Sequence, residues 1–315
     1  MRTTIACLFV LAATFATPVG AAPTTVALTT VLSLDPSANE YPEGITIDKK
    51  GNIYLGLVFD GRILRLGPDG SRSTLTTLPI GSGLLVGLAA DEFGNVYAAL
   101  ASFDPATHGI WRISSEGASE RIAALDPAGF PNGLAFDSRG NLYVSDSFLA
   151  TIWRIPRGGG TAAPWLQSPL LAGDHVNGFG VGANGLAFWC GDLYVANTDL
   201  GSIVRVPVEP NGLAGAPEVY VADPAIAFAD GIAFDVRGSL YVVNSLLTNT
   251  LVRIAPDRTL ETLATADDGL DYPASVAFGT GRGERTQLYL ANVGANFGRP
   301  SVMKVDVGVP GVPLP

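Results

Sequence analysis

The chain is poor in the residues that most often tie a protein together or bind a transition metal. Its 315 residues include two cysteines, two histidines and two methionines. Cys7 falls within an apolar amino-terminal segment, which leaves Cys190 as the one cysteine for the rest of the chain and excludes an internal disulfide there. The same scarcity excludes a Cys/His zinc site. Positive charge is also short, with 19 Lys and Arg against 29 Asp and Glu for a net charge of −10. That balance disfavours nucleic acid and anionic membranes, both of which need clustered cations. No run is long enough to span a bilayer, none has the spacing of a long amphipathic helix, and no glycine-rich loop leads from a strand into a helix to cradle phosphate.

What is abundant points to strands and turns. Hydrophobic residues make up 47% and charged residues 15%, with 38 Gly and 22 Pro. That profile suits a turn-dense all-β protein. The opening "MRTTIACLFVLAATFATPVGAAP" has an early Arg2, an apolar run from Ile5 to Phe15 and small residues from Val19 to Ala22. It reads as a secretory signal over 1–22, so residues 23–315 are expected to form the mature, secreted or periplasmic domain, acting as a monomer. Cys7 precedes most of the apolar run, which argues against a lipid anchor.

The mature part repeats one unit six times. "FPNGLAFDSRGNLYVSDSFLATIWRIP" (130–156) reads as three short strands separated by turns, and similar segments start near Gly44, Gly87, Gly185, Gly231 and Ser275. A period of roughly 45 residues with about four strands each is the signature of a propeller. The expected fold is a six-bladed β-propeller with four-stranded blades. The last unit runs out of sequence before a fourth strand, and "TVALTTVLSL" (25–34) is placed to supply it and close the ring.

The residue before each unit's first Gly position is one of six that point around a common channel mouth. In order these are Glu43, Val86, Asn132, Asn184, Asp230 and Ala274. Two carboxylates and two amide oxygens suit a hard divalent cation such as Ca²⁺, which takes about six to eight oxygen ligands. Asn-Gly and Asp-Gly are also ordinary turn dipeptides, so a turn explains Asn132, Asn184 and Asp230 taken singly. Glu43 has no comparable turn role.

In this order the four residues make the chain resemble the regucalcin and gluconolactonase family, which includes luciferin-regenerating enzyme, with "PNGL", "ANGLAF" and "ADGIAF" carrying the likeness. The resemblance spans essentially the whole mature chain. It implies a six-bladed propeller with a catalytic divalent cation, usually Ca²⁺, held by Glu43, Asn132, Asn184 and Asp230, and a hydrolase of lactones or related esters. It marks Asp230 as the catalytic residue. Two departures bear on substrate: Phe130 stands where sugar-lactone members usually carry Arg, and Pro42 precedes Glu43.

Two residues upstream of the ring stand Tyr41, Phe130, Phe228 and Tyr272, which would wall a substrate pocket if the chain there is extended. Otherwise they pack between blades. His175, in the long interval before the fourth unit, is a candidate proton shuttle or an exposed loop residue. Asp146, Asn197, Asn244 and Asn292 end successive strands and are expected to bind turn backbone. The competing readings are a non-enzymatic propeller scaffold, akin to NHL repeats, and a metal-free cyclase or condensing enzyme resembling strictosidine synthase. The expected partner is a small-molecule lactone or ester.

Overall fold

Four of the repeats close their first turn with the same chemistry, carried by D-x-x-G-[NS]-x-Y. In the first repeat Asp48 Oδ1 accepts from the backbone N–H of Lys50 and Asn52 at 2.8 and 2.9 Å. Its Oδ2 accepts from Asn52 Nδ2 at 2.7 Å and Tyr54 Oη at 3.0 Å. Asp91, Asp137 and Asp235 repeat the pattern with Tyr97, Tyr143 and Tyr241. A buried carboxylate that accepts several donors both fixes the turn and sets the register of the strand carrying the tyrosine. The fourth repeat lacks the motif and turns at Cys190, which is exposed with φ of 51°.

The computed structural model describes residues 26–176 and 178–315, so the expected leader over 1–22 lies outside the described residues. Six antiparallel four-stranded sheets form in sequence order. Their inner strands are Pro42–Ile47, Leu84–Ala90, Pro131–Phe136, Ala183–Trp189, Ala229–Phe234 and Pro273–Phe278. The sixth sheet contains Thr29–Ser33 beside Ser301–Asp306, so the amino-terminal strand closes the ring as expected. Apolar clusters lie between neighbouring blades, including the pair formed by the last blade and the first.

The inner strands differ from the sequence expectation in one respect that matters for function. Each begins one or two residues before its ring position, so Glu43, Asn132, Asn184 and Asp230 lie inside strands and not in turns. The pairing register breaks around every one, for example between Pro131 and Leu134 and between Ala229 and Ile232. These are β-bulges, which leave a residue unpaired and re-aim its side chain. The turn explanation for the Asn-Gly and Asp-Gly pairs therefore fails.

The glycine after each ring residue has a separate cause. A Cβ at Gly133 would sit 2.5 Å from the Asn184 carbonyl oxygen, and Gly44, Gly87 and Gly185 face the carbonyls of Val86, Asn132 and Asp230 even more tightly. Neighbouring inner strands approach too closely at the axis to admit a side chain. Two residues after each ring position, Ile45, Leu88, Leu134, Leu186, Ile232 and Val276 form a buried aliphatic girdle across the channel.

The fold makes closure testable. Removing residues 26–34 strips the last blade of its outer strand and exposes the edge of Ser301–Asp306. We expect a large fall in melting temperature together with aggregation. Unchanged melting would show that the ring is held by other contacts.

Candidate metal centre

Above the girdle, the bulged residues of the inner strands line a small cavity of about 70 Å³ on the channel axis. Glu43, Asn132, Asn184 and Asp230 all reach it, and Ala274 and the backbone around Gly87 complete the wall. Asn132, Asn184 and Asp230 are buried; Glu43 is half-buried, but its Oε2 is out of contact with solvent. Among the described residues no group of three or more His, Cys, Asp or Glu comes together, so the donor set is two carboxylates and two amides.

Three hydroxyls, which the sequence reading missed, hold this ring. Asn132 Nδ2 donates to Ser147 Oγ at 3.3 Å, and Asn184 Nδ2 donates to Thr198 Oγ1 at 3.0 Å. Ser147 and Thr198 in turn donate to the carbonyls of Ala183 and Ala229 on the next blade, at 2.7 and 2.8 Å. Ser245 stands in the same place for Asp230 and stabilises its charged form. The signal was available: the residue following the second strand is a hydroxyl in the three blades that carry Asn132, Asn184 and Asp230. Counted four residues on from the tyrosine of that strand, the same place in the other blades holds Val58, Ala101 and Val293. With each amide nitrogen engaged by a hydroxyl, neither Asn132 Oδ1 nor Asn184 Oδ1 accepts a hydrogen bond among the described residues.

The electrostatics of the cavity favour a bound cation. Glu43 Oε2 is buried with no hydrogen-bond partner. The Glu43 carboxyl is held well above the usual range, first by burial and then by the Asp230 charge. Burial pushes Asp230 up to about 7, an effect that Ser245 and Asn184 partly offset. Two carboxylates removed from water beside one another are costly unless a cation or a proton neutralises them. Four oxygens with no competing cationic side chain make a suitable cradle for a hard divalent ion.

Of the predicted pocket residues, Tyr41, Phe130, Phe228 and Tyr272 stand two residues before ring positions and do not line the axial cavity itself. Tyr272 is half-buried, and its hydroxyl is held above the usual phenol range by burial and by the charges of Asp230 and Glu43, with Ser245 acting in the opposite direction. Tyr41 packs edge-on against Phe59 at 5.5 Å, Phe130 lies 5.0 Å from Phe148 and 6.2 Å from Phe103, and Phe228 lies 6.2 Å from Phe179. The extended backbone expected here does not hold throughout. Phe228 and Tyr272 adopt φ of 61° and 55°, a region bulky residues avoid. Ser245 N–H donates to the Phe228 carbonyl at 3.0 Å, and Asn249 Oδ1 accepts from Tyr272 N–H at 2.6 Å, which holds both turns in place.

The loops on this face carry an apolar crown: Phe59, Phe103, Phe148, Leu200, Leu247 and Phe297, one from each blade, are exposed. His175 is exposed on the loop before the fourth inner strand and does not line the axial cavity. His108 is fully buried, accepts from Phe103 N–H through Nδ1, and is held below the usual imidazole range by burial. Asp146 accepts from the N–H groups of Phe130, Phe148 and Leu149, and Asn197 Nδ2 donates to the carbonyls of Leu170 and Ala172. Those residues are structural, as expected.

Comparison with known proteins places the fold. A family model described as strictosidine synthase-like, N-terminal, matches residues 26–66, which is the closing strand and most of the first blade. No curated protein matches the chain in sequence. Among solved structures, virginiamycin B lyase from Staphylococcus aureus aligns with a TM-score of 0.63 at 17% identity, over 91% of this chain and 88% of that one. A calcium-binding regucalcin from Agrobacterium tumefaciens gives 0.66 at 16%, over 88% and 93%. A gluconolactonase from Xanthomonas campestris gives 0.66 at 16%, over 96% and 99%. The propeller expected from the sequence is thus shared with gluconolactonase and regucalcin; at these identities the likeness is one of fold.

The raised carboxyls give a pH test. In the cation-free protein Asp230 ionises near 7 when folded but near 3.8 when unfolded. Its contribution to stability is therefore full below about pH 4 and is lost as pH rises through 7. A cation needs the ionised pair, so its stabilising effect runs the other way. We expect millimolar Ca²⁺ to raise the melting temperature strongly at pH 8 and little at pH 5, and Asp230→Asn to abolish the difference. Equal shifts at both pH values would contradict a carboxylate-bound cation.

Proposed function

We propose that the protein is a hydrolase of lactones or related esters that depends on a divalent cation, Ca²⁺ being the ion expected, held by Glu43, Asn132, Asn184 and Asp230. The observation that carries this reading is the buried, unpartnered Glu43 oxygen in one cavity with Asp230 and two hydroxyl-anchored amides. When bound, such an ion supplies Lewis acidity toward a substrate carbonyl and toward the negative charge that develops on its oxygen.

The chain's own residues supply the remainder. Two carboxylates match the charge of a divalent ion, and the two amides add oxygens without adding charge. Ser147 and Thr198 fix those amides from behind, so the cradle is organised before substrate arrives. Asp230 accepts a proton from the attacking water, its burial offsetting part of the basicity that contact with a cation removes. Ser245 orients that carboxylate. The aromatic rim around Phe130, Phe228 and Tyr272 receives the organic part of the substrate, and Phe130 in particular favours an apolar lactone or aryl ester over a polyhydroxylated one.

The fold-level likeness to a calcium-binding regucalcin and a gluconolactonase supports this reading. A metal-free condensing enzyme has the match over residues 26–66 in its favour, but that match includes Glu43 and ends before Asn132, Asn184 and Asp230. The apolar amino-terminal run and the acidic, cysteine-poor remainder support export from the cytoplasm as part of the same proposal.

Two substitutions test it. Asp230→Asn removes a ligand charge and the base, so turnover of an aryl ester or lactone should fall by about a hundredfold or more, with weaker Ca²⁺ binding. Asn132→Asp keeps an oxygen in place and adds a charge, so metal content should hold or rise while turnover drops. An Asp230→Asn protein with full activity would end the proposed mechanism. Turnover that resists chelation in the unaltered protein would remove the cation from it.

A further inference from the structure

Below the aliphatic girdle the channel opens into a second and much larger cavity of about 500 Å³. We propose that this lower cavity binds an amphipathic monoanion, an apolar chain or ring ending in a carboxylate or a similar head group, independently of the cation site above it.

The walls argue for the apolar part. The lower ends of the inner strands bring Phe136, Phe188, Phe234 and Phe278 to the cavity from four successive blades. Ala135, Ala187, Ala233 and Ala277, each just before one of these phenylalanines, keep part of their surface open, and all four line this cavity. A volume in the range of about 300–1,000 Å³ with apolar walls is what small-molecule sites use. The girdle separates it from the polar chamber, because Ile45, Leu88, Leu134, Ile232 and Val276 line both.

The rim argues for the anion. Among the described residues the only ionisable side chains on this cavity are the two cations Lys49 and Arg285, although the chain as a whole has a net charge of −10; the terminal residue Pro315 also lines it. Lys49 pairs with Glu92 at 3.6 Å, both being well exposed. The Arg285 guanidinium makes no hydrogen bond or ion pair among the described residues, while its backbone carbonyl accepts from Gly311 N–H at 3.0 Å. An exposed, uncommitted guanidinium at the lip of an apolar cavity can bind a carboxylate through two parallel hydrogen bonds.

A strap built from residues 310–314 crosses this mouth. Val236 N–H donates to the Pro310 carbonyl at 2.9 Å, Val312 N–H donates to the Phe234 carbonyl at 3.0 Å, and Asp235 and Gly311 form a short bridge. The strap is thus fastened to the blades beside Phe234 and Arg285, and Leu314 contributes a further apolar wall. It narrows an open channel end into a pocket.

Isothermal titration of the full protein with dodecanoate, below its micelle concentration, tests the site. We expect one saturable equivalent, with binding lost in Ala233→Trp, which fills the cavity. Arg285→Glu, an exposed change that leaves the fold intact, should weaken dodecanoate by at least about threefold without changing Ca²⁺ binding. Asp230→Asn should leave dodecanoate binding unaltered. Absence of saturable binding would overturn the proposal. So would binding that both Ala233→Trp and Arg285→Glu leave unchanged, since the apolar crown on the other face would then be the site. Should Ala233→Trp fail to fold, the Arg285→Glu result decides alone.

Discussion

Six inner strands meet around an axis so narrow that the backbone of one touches the backbone of the next. That close approach is the constraint on which the rest depends. It demands glycine at Gly44, Gly87, Gly133 and Gly185, where an added Cβ would strike the carbonyl of the neighbouring ring residue. It also leaves no room for regular pairing at the inner end, and each strand bulges there. The bulge turns Glu43, Asn132, Asn184 and Asp230 into one small space. Packing at the axis and chemistry at the axis are therefore one problem with one solution.

The polar chamber that results gathers two carboxyl groups away from water. Burial raises both Glu43 and Asp230, the Asp230 charge raises Glu43 further, and no cationic side chain lines their cavity. The girdle beneath is aliphatic and offers the chamber no polar partner from below. Around the rim, strained Phe228 and Tyr272 are held by hydrogen bonds from the adjacent loops. Strain of this kind persists only where the surroundings over-determine the backbone, and here the surroundings are the walls of the site. Stability and function draw on the same loops, since Ser147 and Thr198 both anchor a ring amide and bond to the next blade.

Much of this was legible in the sequence. The repeat near 45 residues, with about four strands in each period, and the segment over 25–34 led to six blades closed by the amino-terminal strand. The four ring residues were found through their common place in the repeat. The bulge was not legible, because Asn-Gly and Asp-Gly describe a turn equally well and only the pairing register separates the two. The hydroxyls of Ser147, Thr198 and Ser245 were passed over because small polar residues at strand ends have many ordinary uses. The lower cavity was not legible for a different reason: an aromatic at the end of a strand, such as Phe136 or Phe234 just before the turn aspartate, serves packing between blades equally well, as these residues in part do.

The central claim is that Glu43, Asn132, Asn184 and Asp230 together hold one divalent cation. Crystals grown with Mn²⁺ in place of Ca²⁺ permit the ion to be located by its anomalous scattering. The account predicts a single strong peak on the channel axis, contacted by an oxygen from each of the four side chains. A map with no peak there, or with its strongest peak elsewhere on the molecule, would contradict it.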